Sequence, residues 1–558
     1  MMNRKHKGVV RNRIAIGIGL AFFILVSGGF VGTSTGDYFL KVNKGIDVFG
    51  RVYKEIAANY VDEVDPEKFM QAGIDGMLGT LDPYTVYIDK EDGDEVDLLT
   101  NGKYGGIGVT IGARDGAIEV ISVMDGYSAQ RQGILPGDRI LEVDGKGVNA
   151  KRPDEVRSLT RGEPGTEVRI SIQRAGEPQP ISFVVIREEI QVKNVTYSAY
   201  LQRGIGYIRL ERFSRRAGDE VRQAIKELKL KGELQGIVLD LRGNPGGLLD
   251  AAVDVVSKFV PRGSLIVSTK GRRSEADRSY RSTEEPLIPE TPLVVLTDRS
   301  SASASEIVSG AIQDLDRGII VGTRTFGKGL VQTIVPLNYG AQLKITTARY
   351  YIPSGRSIQE IDYLHKDKNG VFTIVPESLR HEFKTLNGRT VYEYGGIRPD
   401  STVEEPERSP MVRELHRKAY FFRFVNRYVS SHKEETITEV NEAMLAAFRQ
   451  YLEEQKFDFQ EEAETKIAEL RQLAEKSNYS DDILNELDVI GKTFEKEKSR
   501  AFERNLEGIR HELGVELAAR NGGEHGRIES MLPTDVQVRA AVALLNSPVE
   551  YRNTLARQ

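Results

Sequence analysis

The chain has 558 residues, too many for one ordinary domain, and three or four folded units are expected. Hydrophobic residues make up 39% and charged residues 28%, a soluble globular balance with room for a long polar helical part. The net charge of -5 gives no sign of nucleic-acid binding. The absence of cysteine excludes disulfides, thiol catalysis and cysteine-ligated metal sites.

At the amino terminus Arg4, Lys5, Lys7, Arg11 and Arg13 precede an uncharged stretch, Ile14 to Gly32. Its 19 residues approach the roughly 20 that span a bilayer as a helix. Basic residues ahead of it favour a cytoplasmic start and export of the remainder of the chain. A cleaved signal peptide competes with this reading. The run Ser27-Gly28-Gly29-Phe30-Val31-Gly32-Thr33 lacks an Ala-x-Ala site, which favours an uncleaved anchor within residues 1–34.

Residues 35–95 read as a small helical module. Val48, Val52, Ile56 and Tyr60 share one face, Phe69, Ile74 and Met77 continue the apolar pattern, and Leu81-Asp82-Pro83-Tyr84 breaks it. Such a module suits packing or dimerisation. Over 96–192 the pattern changes to short strands and glycine turns, with Gly105-Gly106-Ile107-Gly108-Val109 leading into a strand. Gly133-Ile134-Leu135-Pro136-Gly137-Asp138-Arg139-Ile140 is a specific match, and the stretch resembles a PDZ domain. PDZ domains bind carboxyl termini by strand addition beside a loop whose N–H groups hold the terminal carboxylate. The resemblance makes Gly105, Gly106, Ile107 and Gly108 that loop.

From 193 to 405 strands alternate with helices: strands at 205–210, 236–241, 265–268, 293–297, 319–322 and 343–351, helices near 219–230, 248–259 and 304–315. This is an α/β domain with a mixed sheet, and Gly318 is placed to end the last helix. Residues 406–558 are rich in Glu, Lys, Arg, Ala and Leu and read as amphipathic helices with solvated charged faces, glycine-poor until Asn521-Gly522-Gly523. The fold class is multidomain α/β: helical module, PDZ-like domain, α/β core, C-terminal helical domain.

Two motifs carry chemistry, Ser300-Ser301-Ala302-Ser303-Ala304-Ser305-Glu306 and Thr325-Phe326-Gly327-Lys328-Gly329. A serine needs a base to become nucleophilic, and the usual base is histidine. The seven histidines, at 6, 365, 381, 416, 432, 511 and 525, are near neither motif, which leaves lysine. A lysine acts as base where a dry, apolar pocket disfavours its ammonium form. Ser303 falls between a strand and a helix start, where free N–H groups and the positive dipole end favour a developing oxyanion. Taken alone, Ser303 reads as a helix cap in competition with Ser300, Ser301 and Ser305, and Lys328 as a turn lysine. Gln332, four residues after Lys328, is spaced to hold the amine by a hydrogen bond. A third motif, Asp240-Leu241-Arg242-Gly243-Asn244-Pro245-Gly246-Gly247, can present a glycine N–H to an oxyanion and lacks the Gly-Lys-Ser/Thr of a P-loop.

Together these motifs resemble the carboxyl-terminal processing (tail-specific) proteases, a Ser/Lys serine peptidase family with a PDZ domain, over about 44 to 400. The 25-residue spacing from Ser303 to Lys328 matches the family. So do Tyr350 to Gln359 and Gly396-Ile397-Arg398-Pro399-Asp400. The resemblance implies Ser303 as nucleophile, Lys328 as base and Gln332 as its orienter. The oxyanion donors would be the N–H groups of Ala304 and of Gly246 or its neighbour. It also places Arg161 where some members couple the PDZ domain to the active site. It implies no cofactor or metal. Two departures stand out: an insertion at about 360–394, expected to shield or shape the site, and the helical tail, suited to oligomerisation, adaptor docking or substrate caging.

The expected activity is hydrolysis of peptide bonds near protein C-termini that the PDZ domain captures. The expected location is the bacterial inner membrane, single-pass, with the catalytic part outside the cytoplasm, or a secreted form if 1–34 is cleaved. The rival reading is a catalytically silent, membrane-anchored PDZ scaffold, since some relatives of the fold bind small hydrophobic ligands instead of cutting. The intact Ser303, Lys328 and Gln332 argue against it.

Overall fold

The computed structural model describes residues 33–90, 93–114, 116–150, 152–366, 371–432 and 437–556. The apolar stretch 14–32, expected as an anchor, lies outside them. Among the described residues no helix is long and apolar enough to cross a membrane. The chain divides into two compact units, Met1–Tyr87 and Ile88–Gln558.

In the first unit the apolar periodicity resolves into two helices, Thr33–Asn59 and Pro66–Leu78. Asp65 starts the second: its Oδ1 accepts the N–H groups of Glu67 and Lys68 at 3.1 and 3.2 Å. Pro66 occupies the first helical position, where a missing N–H costs nothing. Tyr53 joins the pair, its ring stacked on Phe69 at 5.4 Å and its hydroxyl donating to Pro66 O at 2.8 Å.

The second unit begins with the helix Gly93–Asn101 and a PDZ-like domain. Strands Val109–Arg114, Ala117–Val123, Arg139–Val143, Glu167–Gln173 and Ile181–Ile186 pair antiparallel in chain order. Alternating residues such as Ile118, Val120, Val168, Ile170 and Ile172 point into its core, with the helix Pro153–Thr160 packed alongside. Lys103–Gly106 pairs with Glu188–Gln191 at the base of the domain.

The α/β core holds a six-stranded sheet in the order Val195–Gln202, Ile205–Leu210, Gly236–Asp240, Leu293–Thr297, Ile319–Gly322, Ser401–Thr402. The first pairing is antiparallel and the others parallel. Every residue of the strands Gly236–Asp240, Leu293–Thr297 and Ile319–Gly322 is buried, as a sheet covered on both faces requires. Helices Ala217–Lys231, Leu249–Ser257 and Ala304–Asp314 cover one face. The expected mixed sheet is thus joined by a second one, antiparallel, made of Leu265–Gly271, Arg278–Arg281, Leu330–Pro336 and Gln342–Tyr351. The helix end also differs from expectation. The left-handed residue after Asp314 is Asp316, at φ 51°, whereas Gly318 permits a close crossing, since a Cβ there would lie 2.6 Å from Leu293 O.

The C-terminal helices form the expected helical domain, and its last part also packs on the α/β core. Those from Pro410 to about Leu517 enclose their own core around Phe421, Phe424, Phe448 and Leu513. The chain then kinks at Gly522 and Gly523. Ile528, Leu532, Val538, Ala541, Leu544 and Tyr551 cover the other face of the six-stranded sheet. Tyr551 closes this packing: its hydroxyl accepts from Leu293 N–H at 2.9 Å and donates to Leu293 O at 3.0 Å. The insertion forms two small hairpins, Ile361–Lys366 with Phe372–Ile374 and Glu382–Lys384 with Thr390–Tyr392.

Candidate active site

Ser303 sits where the buried strand Leu293–Thr297 turns into the helix Ala304–Asp314. Asp298 shapes the turn, its Oδ1 accepting the N–H groups of Ser300 and Ser301 at 2.9 Å and of Gly243 at 3.1 Å. The competing serines are accounted for. Ser300 is exposed, Ser301 Oγ donates to Leu241 O at 2.9 Å, and Ser305 Oγ donates to Asn244 O at 2.9 Å. Of the four, Ser303 alone lines a cavity of about 270 Å³. Its backbone stands at φ 55°, ψ -110°, a conformation that costs an L-residue on the order of 1–3 kcal/mol.

Two buried side chains hold that strained residue against the lysine loop. Glu306 Oε2 accepts the N–H of Ser303 at 2.8 Å and of Lys328 at 2.9 Å. Its Oε1 accepts Gly327 N–H and the Thr325 hydroxyl, each at 2.6 Å. Burial pushes the Glu306 carboxyl up to about 7, against the pull of these four donors. On the carbonyl side, the Tyr350 hydroxyl lies 2.5 Å from Lys328 O and 3.1 Å from Ser303 O. Ser303 and Lys328, 25 residues apart, are thus clamped by one carboxylate through their N–H groups and by one phenol through their C=O groups. The base of the insertion adds to this: Glu360 N–H donates to Gly327 O at 2.9 Å, and Gln359 Oε1 accepts Gly329 N–H at 2.7 Å.

Lys328, Gln332, Gly246, Gly247 and Ser303 line the same cavity, walled by Leu248, Leu330, Val331 and Ile334. Gln332 donates through Nε2 to Thr346 Oγ1 at 3.1 Å. The glycine turn requires one correction. Gly246 N–H donates to Asn244 Oδ1 at 2.8 Å, so it is already taken. The neighbouring Gly247 and Ala304 N–H groups have no partner among the described residues. Gly247 bridges to Phe213 through the flanking Gly246 O and Leu248 N–H, which leaves its own N–H turned the other way. Gly246 serves by lacking a side chain: at φ 100°, a Cβ would lie 2.7 Å from Ala302 O and 2.9 Å from both Ala304 N and Ser303 Cβ. The bare Cα keeps Ala304 N–H open.

In the PDZ-like domain, the predicted loop narrows. Gly105 and Gly106 are strand residues paired with Glu189 and Glu188, so only Ile107 and Gly108 remain as loop. Gly106, Ile107 and Gly108 line a groove of about 200 Å³ between the strand from Val109 and the helix that ends at Thr160. Arg161 stands in that groove with its guanidinium 4.8 Å over the Tyr104 ring. Arg157 and Arg212 add positive charge there.

Sequence reasoning missed Glu306 and Tyr350. Glu306 had a signal, since Ser303-Ala304-Ser305-Glu306 has the spacing of a helix capping box. Tyr350 opens the matching run Tyr350 to Gln359, but nothing local shows its role, which depends on a strand pairing that brings it to Lys328.

A strained serine at a helix start, lining one cavity with a lysine and open N–H groups, in a chain that also carries a PDZ-like fold, defines a PDZ-containing serine peptidase. Residues 204–366 match peptidase family S41 and residues 119–174 match the PDZ domain. Residues 34–92 match the "Activating protease CtpB N-terminal domain" and residues 411–545 the "Probable PDZ-protease, C-terminal helical domain". A carboxy-terminal-processing protease of Bartonella bacilliformis is 40% identical over 316 residues, 56% of this chain and 72% of the relative. The carboxy-terminal processing protease CtpA of Bacillus subtilis is 33% identical over 352 residues, 62% of this chain and 72% of the relative. A solved photosystem II D1 C-terminal processing protease is 27% identical, covering 64% of this chain and 92% of its own at a TM-score of 0.35, a superposition too loose to bear on the site. The chain belongs to the carboxyl-terminal processing proteases of peptidase family S41.

Proposed function

We propose that this serine peptidase cuts protein tails with a Ser303/Lys328 dyad at the outer side of a bacterial inner membrane. The observation that carries the dyad is that Ser303, alone of four clustered serines, faces the cavity that Lys328 lines. Ser303 Oγ attacks the scissile carbonyl carbon while its proton passes to the Lys328 amine. The carbonyl oxygen becomes an oxyanion, met by the N–H groups of Ala304 and Gly247. Collapse expels the amine of the downstream fragment, which takes the proton back from Lys328 and leaves an acyl-Ser303. Water then attacks the acyl group, giving a proton to Lys328; the bond between the acyl carbon and Ser303 Oγ breaks as Ser303 takes that proton back from Lys328, and the upstream fragment leaves with a new carboxyl terminus. Gln332 lines the same wall and orients the lysine.

A protein tail enters by adding a strand beside Val109–Arg114, its carboxylate held by the Ile107–Gly108 N–H groups and the arginines of that groove. Residues 14–32 anchor the chain. The test uses β-casein and a fluorophosphonate, which phosphonylates an activated serine with loss of fluoride. Wild type cleaves and is labelled, while Ser303→Ala and Lys328→Ala do neither. Cleavage by purified Ser303→Ala refutes the dyad.

A further inference from the structure

The turn that carries Gly246 and Gly247 starts at Arg242, whose buried guanidinium is held from two directions. On one side stands Asp240, at the end of its strand with no exposure. Arg242 Nε donates to Asp240 Oδ1 at 3.0 Å, Nη2 to Oδ2 at 2.6 Å, and the backbone N–H of Arg242 to Oδ1 at 2.9 Å. Tyr207 adds its hydroxyl to Oδ2 at 2.6 Å. Burial opposes the ionisation of Asp240, but the charge and hydrogen bonds of Arg242, with Arg209 and Tyr207, hold its carboxyl below the ordinary value.

The other end of the guanidinium is held by residues nearly 300 positions away. Nη1 lies 2.8 Å from Asp535 Oδ2 and donates to Gln537 Oε1 at 3.0 Å. Both residues belong to the start of the helix Val536–Asn546. There Asp535 Oδ1 also caps the N–H groups of Gln537 and Val538, at 2.9 and 3.0 Å. Gln537 is buried, and its Nε2 donates to Val403 O at 2.7 Å. Glu405 stands 4.0 Å from Nη1 but is largely exposed, so it is a weak substitute for Asp535.

A guanidinium is a rigid plane of five donors. Filling both of its ends fixes the plane, and with it the side chain and backbone from which the glycine turn departs. We infer that Asp535 and Gln537 are positioning residues of the peptidase, acting through Arg242 to aim the Gly247 N–H at the carbonyl oxygen under attack. The C-terminal helices then complete the catalytic apparatus as well as covering the sheet. The inference rests on the reading of Gly247 as an oxyanion donor.

Asp535→Asn tests it, because asparagine caps a helix about as well as aspartate while removing the carboxylate from Arg242. On β-casein, kcat is expected to fall about tenfold or more, short of the roughly 10²- to 10³-fold loss for a deleted donor. KM should stay within about twofold of wild type, the split expected for an interaction felt in the transition state. Asp535→Ser, which also caps, is the second variant. If both prove unstable, the rate at which fluorophosphonate labels Ser303, scaled to the folded fraction, replaces turnover, and a lowered rate supports the inference. Cap variants with wild-type kcat, or a folded fraction labelled at the wild-type rate, overturn it. Ser303→Ala runs alongside: residual cleavage there refutes the dyad, a failure distinguishable from that of the clamp.

Discussion

Gly246→Ala puts the geometry of the oxyanion site to its most direct test. The new Cβ would lie 2.7 Å from Ala302 O, 2.9 Å from Ala304 N and 2.9 Å from Ser303 Cβ, all parts of the catalytic turn itself. Backbone at φ 100° adds strain of roughly 1–3 kcal/mol for a non-glycine residue, and relieving the overlaps adds about 1–3 kcal/mol more. The methyl group also occupies the space in front of Ala304 N–H. Loss of one oxyanion donor lowers kcat by about 10²–10³. Gly263→Ala provides the control, because Gly263 has φ 85° and nothing within 4 Å of a Cβ. It carries the strain without the obstruction. The assay is β-casein turnover beside the thermal midpoint. Gly246→Ala should be destabilised more than Gly263→Ala and lose turnover, while Gly263→Ala keeps wild-type kcat. A folded Gly246→Ala with kcat within about tenfold of wild type would refute the reasoning.

Glu306→Gln replaces a four-fold acceptor by a group with one acceptor oxygen, and kcat should fall about 100-fold with little change in KM. A carboxyl raised from its ordinary 4.5 to about 7 contributes stability that is full below the ordinary value and lost as pH rises through about 7. Wild type should therefore lose up to roughly 3 kcal/mol between about pH 5 and 8 relative to Glu306→Gln, measured by denaturant unfolding at several pH values. A pH-independent difference would contradict the buried carboxyl. Tyr350→Phe leaves the Lys328 carbonyl without its hydroxyl donor, at about 1–3 kcal/mol, and should lower kcat about tenfold; unchanged turnover would remove Tyr350 from the clamp. Arg161→Ala should weaken binding of a free-carboxylate tail peptide by fluorescence anisotropy but leave an amidated peptide unaffected. Equal losses for both would mean that the groove arginine reads no carboxylate.

Several features were legible in the chain because they depend on local pattern. Strands 205–210, 293–297 and 319–322 form as their apolar runs indicate, since a strand buried on both faces has no polar alternation to obscure it. The helix start at Ala304 follows from small residues after a buried strand, and its serine and lysine follow from motif and spacing. The PDZ-like strands follow from alternation and glycine turns, whereas the strand conformation of Gly105 and Gly106 does not, because pairing with 188–191 is a long-range event.

The sequence by itself determined the motifs that hold Ser303 and Lys328 and the order of the folded units, because motif, periodicity and spacing are properties of neighbouring positions. Only the tertiary structure decided which serine faces the cavity, which glycine N–H is open, and which side chains hold the backbones of Ser303 and Lys328 together. Glu306 gathers donors from positions 303, 325, 327 and 328, and Arg242 draws partners from 240, 535 and 537. Hydrogen-bond satisfaction in a buried site is settled among groups that the fold brings together across hundreds of residues, and local pattern carries no record of it. For the same reason a helical tail that reads as a separate domain closes one face of the catalytic sheet.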